Sequence, residues 1–356
     1  MHGASPVQQI MRTSRHKLTK HNAPATGPNG RARALTVETF DDLSIYAEHS
    51  HSAPEAPHIF MLPRWMQTWR QSFTPNDELH ICVIKKQDTV IGVAPLAIND
   101  AVASFVGDPE VFDYMDFSAA PGYEREFFHA LLDHLARRRI MKLDLRCLRP
   151  ESPVFPHLSD AVSNRNGSVS IEPDGVTLEM DLPDDWNKYL EGLAGKARHE
   201  VRRKLRRLHG VAETNLLVVE EPDKIAEQTD TFLKMFRESR PDKAAFMNPP
   251  MESFFRSFMR TMSEERILRL FVLTLRDSPV AAALCFDYRD TVYLYNSGYD
   301  PRYSSLSAGL LCKILSIRHS IGIRRKKYDF LKGAEAYKYQ LGGKEVHLSR
   351  CRAVLE

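Results

Sequence analysis

A helix start that could bind an anion lies within residues 293–343. Small residues, among them Ser307 and Gly309, open the predicted helix, and an apolar stripe at helical spacing follows. The first N–H groups of a helix lack partners within it and lie at the positive end of its dipole, so this turn suits a phosphate or pyrophosphate. The same residues are also typical of an ordinary packing helix, with Ser307 as N-cap and Gly322 as left-handed stop, and on the residues alone this is the commoner case. Spacing alone leaves both interpretations open.

A dense run of cations occupies residues 196–209, KARHEVRRKLRRLH, with seven Lys or Arg residues against one Glu. Val201, Leu205 and Leu208 continue an apolar stripe beneath it, which predicts one packed helix over 186–208 with a cationic outer face. Such a face is often only solvated surface. Like charges four residues apart destabilise a helix, however, so the run favours a phosphate, an anionic polymer or acidic lipid head groups as partner.

Two acids flank a tyrosine in the first half of the chain, at Asp113, Tyr114 and Asp116. A polar loop would explain this pattern without any chemistry. The three residues are therefore retained as candidates whose role depends on what the fold places beside them.

Alternating strands and helices position these groups and predict an α/β fold with mixed sheets. The order strand, helix, strand over 291–331 predicts two parallel strands joined by a crossover. Trp65 and Trp69 are predicted to lie in the core. Strands are predicted at 35–40, 79–85, 89–98, 103–106, 141–147, 216–220, 268–275, 279–288, 291–296, 327–331 and 347–354. Helices are predicted at 43–49, 59–73, 124–138, 154–163, 186–208, 224–239, 250–263 and 307–322.

Composition and charge describe an ordinary globular protein of 356 residues, 43% apolar and 27% charged, which is long enough for two domains. Residues 1–33 carry six cations and no acid, so they are predicted to be a disordered basic segment or a transit peptide, and the rest of the chain carries −3. A nearly neutral body argues against general DNA binding. Five widely spaced cysteines predict reduced thiols in a cytoplasm, without metal-ligand spacing. No segment has the length of a membrane span, and no secretory signal is apparent.

Three motifs together resemble a known family. GKARHEVRRKLRRL is followed by YLYNSGYDPRYSSLSAGLL and then by YDFLKGAEAYKYQLG. The combination resembles the GNAT-fold acetyltransferases of the CelD/BcsL type, linked to cellulose biosynthesis, and through them the FemABX aminoacyl ligases. The likeness extends over about residues 35–350. It implies a tandem double GNAT-like fold with one half at 34–180 and a second half at 181–356 that holds the acyl-donor site.

The resemblance also implies where an acyl-CoA donor lies, with its pyrophosphate at the start of the helix after the strand that ends near Tyr299. The family pattern GDEPYK corresponds here to residues 333–338, where Ala334 replaces the usual Asp. The implied donor contacts are Tyr299, Ser305, Ser307, Ala308, Gly309 and Leu310.

Acyl transfer to an amine needs a base for the amine and a proton for the leaving thiolate. On the resemblance, Glu335 is the base if burial raises its pKa, and Tyr337 or Tyr299 supplies the proton. Asp329 and Lys338 orient the acceptor or donor. In the first half, Asp113, Tyr114 and Asp116 are expected to bind the acceptor. No metal is expected to take part.

The resulting expectation is an N-acyltransferase that uses acyl-CoA and an amine acceptor, which is either a small molecule or an amine of cell-envelope or polysaccharide metabolism. One alternative is aminoacyl transfer from charged tRNA, and another is a non-catalytic module at an anionic membrane surface. Both alternatives would use the cationic helix, whose expected anion contacts are Arg198, Arg202, Arg203 and Arg206. The expected location is the cytoplasm, and peripheral attachment to the inner face of the membrane is an option left open.

Overall fold

The structure is a computed structural model that describes residues 21–22, 35–44, 46, 54, 56–74, 78–211 and 213–355. Its strands are β1 His21–Asn22, β2 Leu35–Phe40, β3 Glu78–Lys86, β4 Thr89–Asn99, β5 Val102–Phe105, β6 Ser118–Ala119, β7 Lys142–Leu148, β8 Ser168–Asp181, β9 Thr214–Val219, β10 Leu268–Leu275, β11 Ser278–Tyr288, β12 Thr291–Tyr299, β13 Lys327–Lys332 and β14 Lys344–Val354.

The α-helices are α1 Pro63–Phe73, α2 Glu124–Arg137, α3 Ser159–Ser163, α4 Trp186–Gly192, α5 Gly195–Val211, α6 Pro222–Ser239, α7 Pro241–Phe246, α8 Pro249–Glu264, α9 Ala308–Gly322 and α10 Ala336–Gln340. Short 3-10 segments precede α1 at Ile59–Met61 and α9 at Pro301–Leu306, and a π-helical turn, Val154–Leu158, precedes α3. No helix in the described part of the chain has the combination of length and apolar character that crossing a membrane requires.

All fourteen strands of the described residues join one sheet, in the order β1-β2-β3-β4-β5-β7-β14-β8-β13-β12-β11-β10-β9, with β6 paired to β4. Each half contains one parallel pair, β5 with β7 and β12 with β13, and a long helix lies between the two strands in sequence. The halves exchange their last strands, because β8 pairs with β13 and β14 pairs with β7. Since β8 and β14 also pair with each other, the two halves share one continuous sheet.

The sheet of the second half is buried on both faces. Alternate residues of β10 point to opposite sides. Leu270 and Val272 belong to the core formed with α6 and α8, whereas Phe271 and Leu273 belong to the core under α9. The near-continuous apolar run of this strand follows from burial on both sides.

Most predicted elements are confirmed to within a few residues, and Trp65 and Trp69 lie in the core. The predicted helix at 186–208 is two helices, because the chain is extended at Leu193, between α4 and α5. The long strand β8 and the short helix α7 were not predicted. Of the predicted disordered segment 1–33, only β1 is described, and it pairs with β2. The predicted helix at 43–49 lies partly outside the described residues.

The predicted parallel pairing of β12 with β13 is confirmed, but it involves only the first part of β12. Register pairs join Thr291 to Lys327 and Tyr293 to Asp329, and none is recorded farther along, although β12 continues to Tyr299. The two strands therefore diverge beyond Asp329. This divergence opens a gap at the carboxyl ends of β12 and β13, the place where ligands bind in many α/β sheets.

Two details expected of α9 are corrected. Ser307 is the N-cap residue, as predicted, but its side chain makes no capping bond, and its backbone is left-handed, with φ of 58°, because it links the preceding 3-10 segment to α9. Gly322 is not the left-handed stop, because Arg324 takes the positive φ of 61° after the helix. The N–H groups of the first turn of α9 thus gain no partner from the Ser307 side chain.

Candidate functional site

Two cavities lie side by side where β12 and β13 diverge, and Tyr337 lines both of them. The large cavity has a volume of about 600 Å³. The small cavity has a volume of about 220 Å³ and lies at the start of α9. The large cavity is lined by Pro109, Glu110, Asp113, Phe236, Asp242, Lys243, Phe246, Leu294, Tyr295, Asn296, Ser297, Phe330, Leu331, Lys332, Gly333, Glu335, Tyr337 and Lys338. The small cavity is lined by Tyr299, Ser304, Ser307, Ala308, Gly309, Leu310, Lys313 and Tyr337.

Most of the predicted donor residues line the small cavity. Ser305 is not among the lining residues, and Ser304 takes that place. Gly309 allows a close approach at this point, because a Cβ there would lie 3.0 Å from a ring carbon of Tyr299. The N–H groups of the first turn, the dipole of α9 and this narrow gap make a cradle that can accept an anion.

Lys204 of α5 brings a positive charge to the same cradle. Its Nζ donates to the Ser307 Oγ at 2.6 Å and lies 3.2 Å from a carboxylate oxygen of Glu200. The Lys204 side chain is largely buried, whereas its neighbours in the cationic run are mostly exposed. The sequence places Lys204 within the cationic run but carries no signal that this residue meets Ser307, 103 positions later in the chain.

Lys313 is a second cation of the small cavity. It lies one helical turn after Gly309, and its Nζ is 4.7 Å from the centroid of the Tyr337 ring. Burial lowers the pKa of Lys313 to about 8, although the nearby Cys312 and Glu335 oppose that shift. The spacing of four residues from Gly309 is a signal that could have identified it.

Asp113 is the predicted acceptor-binding acid that lines the large cavity. The backbone N–H of Lys332 donates to its Oδ2 at 3.5 Å. Burial raises the pKa of Asp113 to about 6, against the opposing charges of Lys332 and Lys338. A carboxyl group that titrates near neutral pH and lines a cavity can accept a proton from a bound amine.

Lys243 of α7 lies in the same cavity and was missed because α7 was not predicted. Its Nζ donates to the Ser297 carbonyl and lies 4.7 Å from the centroid of the Phe236 ring. Burial lowers the pKa of Lys243 to about 8, and the charges of Lys313 and Arg240 add to that effect. The cavity thus presents both an acid and a cation to a ligand.

Glu335 does not meet the condition under which it was predicted to be the base. Its side chain is 48% exposed, and its Oε2 lies 2.9 Å from the Lys338 Nζ. Lys338 in turn is buried and donates to the carbonyls of Leu331, Lys332 and Gly333 at 3.0, 2.6 and 3.0 Å. These contacts assign Lys338 to holding the end of β13, so its ammonium is not free for an acceptor.

Tyr114 and Asp329 form a buried pair behind the large cavity and are not among its lining residues. The Tyr114 hydroxyl donates to the Asp329 Oδ2 at 2.7 Å, and the Leu331 N–H donates to the Oδ1 at 2.7 Å. Burial raises the pKa of Asp329 to about 7, although Tyr114 and Arg149 oppose the shift. The pair joins the first half to β13 and supports the wall of the cavity.

Asp116 lies away from both cavities. Its Oδ1 accepts from the Phe117 N–H at 2.8 Å and from the Ser152 Oγ at 3.0 Å. Burial raises the pKa of Asp116 to about 7, against these two hydrogen bonds. Its contacts are those of a side chain that organises a loop, not those of a residue that meets an acceptor.

The outer face of α5 is cationic and open to solvent. Arg203 pairs with Glu200 at 2.8 Å, and Arg198 donates to the Glu191 carbonyl at 3.3 Å. Among the described residues, the structure records no ion pair for three other exposed arginines of this helix, which are Arg202, Arg206 and Arg207.

The second half of the chain matches a known domain family. Residues 195–339 match the model of the acetyltransferase (GNAT) domain. This stretch includes the small cavity, α5 and most of the large cavity. No curated protein sequence gives a match to the chain.

Solved structures show the same fold over most of the chain. The crystal structure of FemX has 11% sequence identity and a TM-score of 0.60, and the alignment covers 86% of this chain and 95% of the FemX chain. A conserved protein of unknown function from Bacteroides thetaiotaomicron VPI-5482 has 10% identity and a TM-score of 0.61, and the alignment covers 89% of this chain and 99% of that protein. The C-terminal domain of a putative lysylphosphatidylglycerol synthetase from Agrobacterium fabrum has 11% identity and a TM-score of 0.51, and the alignment covers 82% of this chain and 91% of that domain.

Proposed function

We propose that the protein transfers an acyl group from an acyl-coenzyme A, held at the small cavity, to an amine held in the large cavity. The observation that carries this proposal is that the two cavities meet at Tyr337, in the gap between β12 and β13. A donor and an acceptor bound on the two sides of one side chain would have their reacting atoms close together, which lowers the entropic cost of the reaction. The match of residues 195–339 to an acetyltransferase domain agrees with this chemistry.

The small cavity fits the pyrophosphate of a coenzyme A donor. The open first turn of α9 offers N–H donors, Gly309 leaves room beside Tyr299, and Lys204 supplies the charge. The bound donor would supply an activated thioester. Lys313, half-buried beside Tyr337, adds positive charge to the same cavity.

In the large cavity, Asp113 takes the role of general base in place of Glu335. It accepts a proton as the amine nitrogen bonds to the thioester carbonyl, and the C–S bond then breaks to give an amide and a thiolate. Tyr337 gives its proton to that thiolate, so that free coenzyme A leaves as a thiol. Burial raises the pKa of Tyr337, which keeps its hydroxyl protonated at neutral pH.

Calorimetric titration with acetyl-CoA tests the donor site. We expect one site per chain, weakened at least about 10-fold by Lys204→Met because one phosphate contact is lost. Lys196→Met is the matched control, since Lys196 is exposed on the same helix and should leave binding unchanged. No heat and no thermal shift with the wild-type protein would refute the donor assignment.

Thiol release from acetyl-CoA in the presence of a panel of primary amines tests the catalytic assignment. We expect Asp113→Asn to lower kcat by about 10²- to 10⁴-fold, with donor binding unchanged, and to remove an acidic limb of the pH–rate profile near pH 6. Glu110→Gln is the control, since this exposed acid lines the same cavity. Equal effects of the two substitutions would show that Asp113 has no special role.

A second candidate function is aminoacyl transfer from charged tRNA, favoured by the three exposed arginines of α5 that lack recorded ion pairs. It predicts tRNA binding whose affinity falls steeply with salt and is lost when Arg202, Arg206 and Arg207 become Glu. Full retention of tRNA affinity by that triple variant would remove this candidate. Acetyl-CoA binding should be nearly unaffected by the same changes.

A further inference from the structure

Two histidines and a cysteine meet inside the first half of the chain, far from the two cavities. His80 and Cys82 are two residues apart on β3, so their side chains point to the same face of the sheet. His134 reaches them from α2, which packs on that face. All three side chains are buried in an otherwise apolar core, with exposures of 3%, 0% and 4%.

Their ligand atoms already lie close together. The Nε2 atoms of His80 and His134 are 2.9 Å apart, and these atoms and the Cys82 Sγ all lie within 4.8 Å of one another. Two imidazole nitrogens bound about 2.0–2.1 Å from one tetrahedral metal would be about 3.3 Å apart, and each would lie about 3.6 Å from a thiolate sulfur. Side-chain movements of about 1 Å would bring all three atoms to those separations.

The hydrogen bond between the two histidines does not account for the Cys82 thiol that lies beside them. With one ring as donor and the other as acceptor, that bond satisfies one nitrogen of each ring. Within the described part of the chain, the hydrogen-bond contact recorded for the Cys82 thiol is a long one, 3.8 Å from Sγ to the His80 carbonyl oxygen. Nitrogen and sulfur ligands in this combination are those that copper and zinc prefer.

We infer that His80, Cys82 and His134 bind a single thiophilic metal ion, Cu⁺ or Zn²⁺, that fastens α2 to β3. Binding replaces the Cys82 thiol proton, which leaves to solvent, so one proton is released per metal ion. Cu⁺ with one thiolate is neutral, whereas Zn²⁺ leaves a net charge of +1. Because Arg138 acts electrostatically on His80 and Cys82, the charge balance favours Cu⁺.

A route to the site begins at a cavity of about 410 Å³ at the end of α2. Glu78 lines this cavity and precedes His80 by two residues on β3, so it lies on the same face of the strand. A metal ion would therefore have to move inward along β3 from Glu78, at the cavity wall, to His80, the next residue on the same face. Ile98, Ala101 and Ile140 line the cavity as well, together with Arg137, Arg138 and Arg139.

The experiment titrates the reduced, metal-free full-length protein under anaerobic conditions in two arms. In one arm Cu⁺ competes with a chromogenic chelator. In the other, Co²⁺ reports a zinc-type site through its thiolate charge-transfer absorption, followed by displacement with Zn²⁺. We expect one equivalent bound in at least one arm, with a rise in melting temperature, and the arm that binds identifies the metal.

The variants Cys82→Ser and His134→Gln should lose that equivalent and its absorption band. Cys285→Ser is the matched control, since Cys285 is a buried cysteine on β11 of the second half and should leave binding intact. Binding that survives in Cys82→Ser, or no stoichiometric binding of either metal to the wild-type protein, overturns the inference. The wild-type titration decides this even if a variant fails to fold.

Discussion

Replacing Lys338 by Met should destabilise the fold severely, because a single buried ammonium holds the end of β13. Only 1% of Lys338 is exposed. Its Nζ donates to the carbonyls of Leu331, Lys332 and Gly333, which uses all three of its protons. Gly333, with φ of 105°, is the point where the chain leaves the sheet.

The magnitude follows from the groups left without a partner. Each buried carbonyl that loses its donor costs about 1–3 kcal/mol, and the removal of one partner from a buried charged cluster costs about 3–5 kcal/mol in total. Glu335 adds little to this cost, because water reaches its half-exposed carboxylate. With an unfolding entropy of about 2.1 cal/mol/K per residue over 356 residues, the loss corresponds to a fall of about 4–7 °C in Tm.

Differential scanning calorimetry at pH 7 measures this change, with Lys344→Met as control. Lys344 is exposed at the start of β14 and should change the free energy of unfolding by less than about 0.5 kcal/mol. If Lys338→Met melted within 1 °C of the control, the ammonium would not be holding the carbonyls, and Lys338 would again be available as a substrate contact.

Three further outcomes follow from named contacts. Gly298→Ala should lower stability by about 1–3 kcal/mol or prevent folding, since a Cβ would lie 2.4 Å from the backbone nitrogen of Phe236, and urea unfolding measures this. Asp116→Asn should alter the pH dependence of Tm. The folded carboxyl has a pKa of about 7, above its ordinary value of 3.8, so wild-type stability from this group falls by about 1.4 kcal/mol per pH unit from pH 4 to 7. The Asn variant should gain on the wild type over that range, and an opposite trend would contradict the assignment. Tyr114→Phe should raise the pKa of Asp329 further, because the lost hydrogen bond lowers it, and carboxyl-carbon NMR titration would detect the change.

The fold was predictable where local pattern and tertiary environment agree. In the antiparallel meander and the parallel crossover of the second half, the apolar residues follow the spacing that burial of each face requires. Their elements were therefore confirmed. The strand β8 was missed because Pro173, Asp174 and Gly175 suggest a turn, and because much of the strand is exposed. Its strand conformation depends on pairing with β14, which lies near the C-terminal end of the sequence.

The break between α4 and α5 had a local signal that the apolar stripe concealed. Gly192 and Gly195 flank the break, and both are poor helix formers. Periodicity continued across them, because Leu193 and Val201 face the same core. Leu193 does so from an extended backbone, so an uninterrupted stripe is not sufficient evidence for an uninterrupted helix.

The residues of the candidate site, like the elements of the fold, could be predicted from the sequence only in part. Tyr299, Ser307, Gly309 and Tyr337 could be grouped from the sequence, because the crossover brings neighbouring segments together at one edge of the sheet. Asp113 comes from the other half of the chain, and its place beside Lys332 depends on the exchange of β8 and β14. No pattern within either half contains that information.

The cations of helix α5 point in two directions, and substitutions on the two sides can therefore distinguish the competing functions. Lys204 points inward to Ser307 at the start of α9, whereas Arg202 and Arg206 are exposed to solvent. A donor held by its pyrophosphate depends on the inward residue, and a polyanion such as tRNA depends on the outward ones. Loss of acetyl-CoA binding in Lys204→Met, together with its retention when the outward arginines are reversed in charge, would assign the helix to a small donor. The opposite pattern would assign it to a polyanion, because the same helix would then use its solvent face.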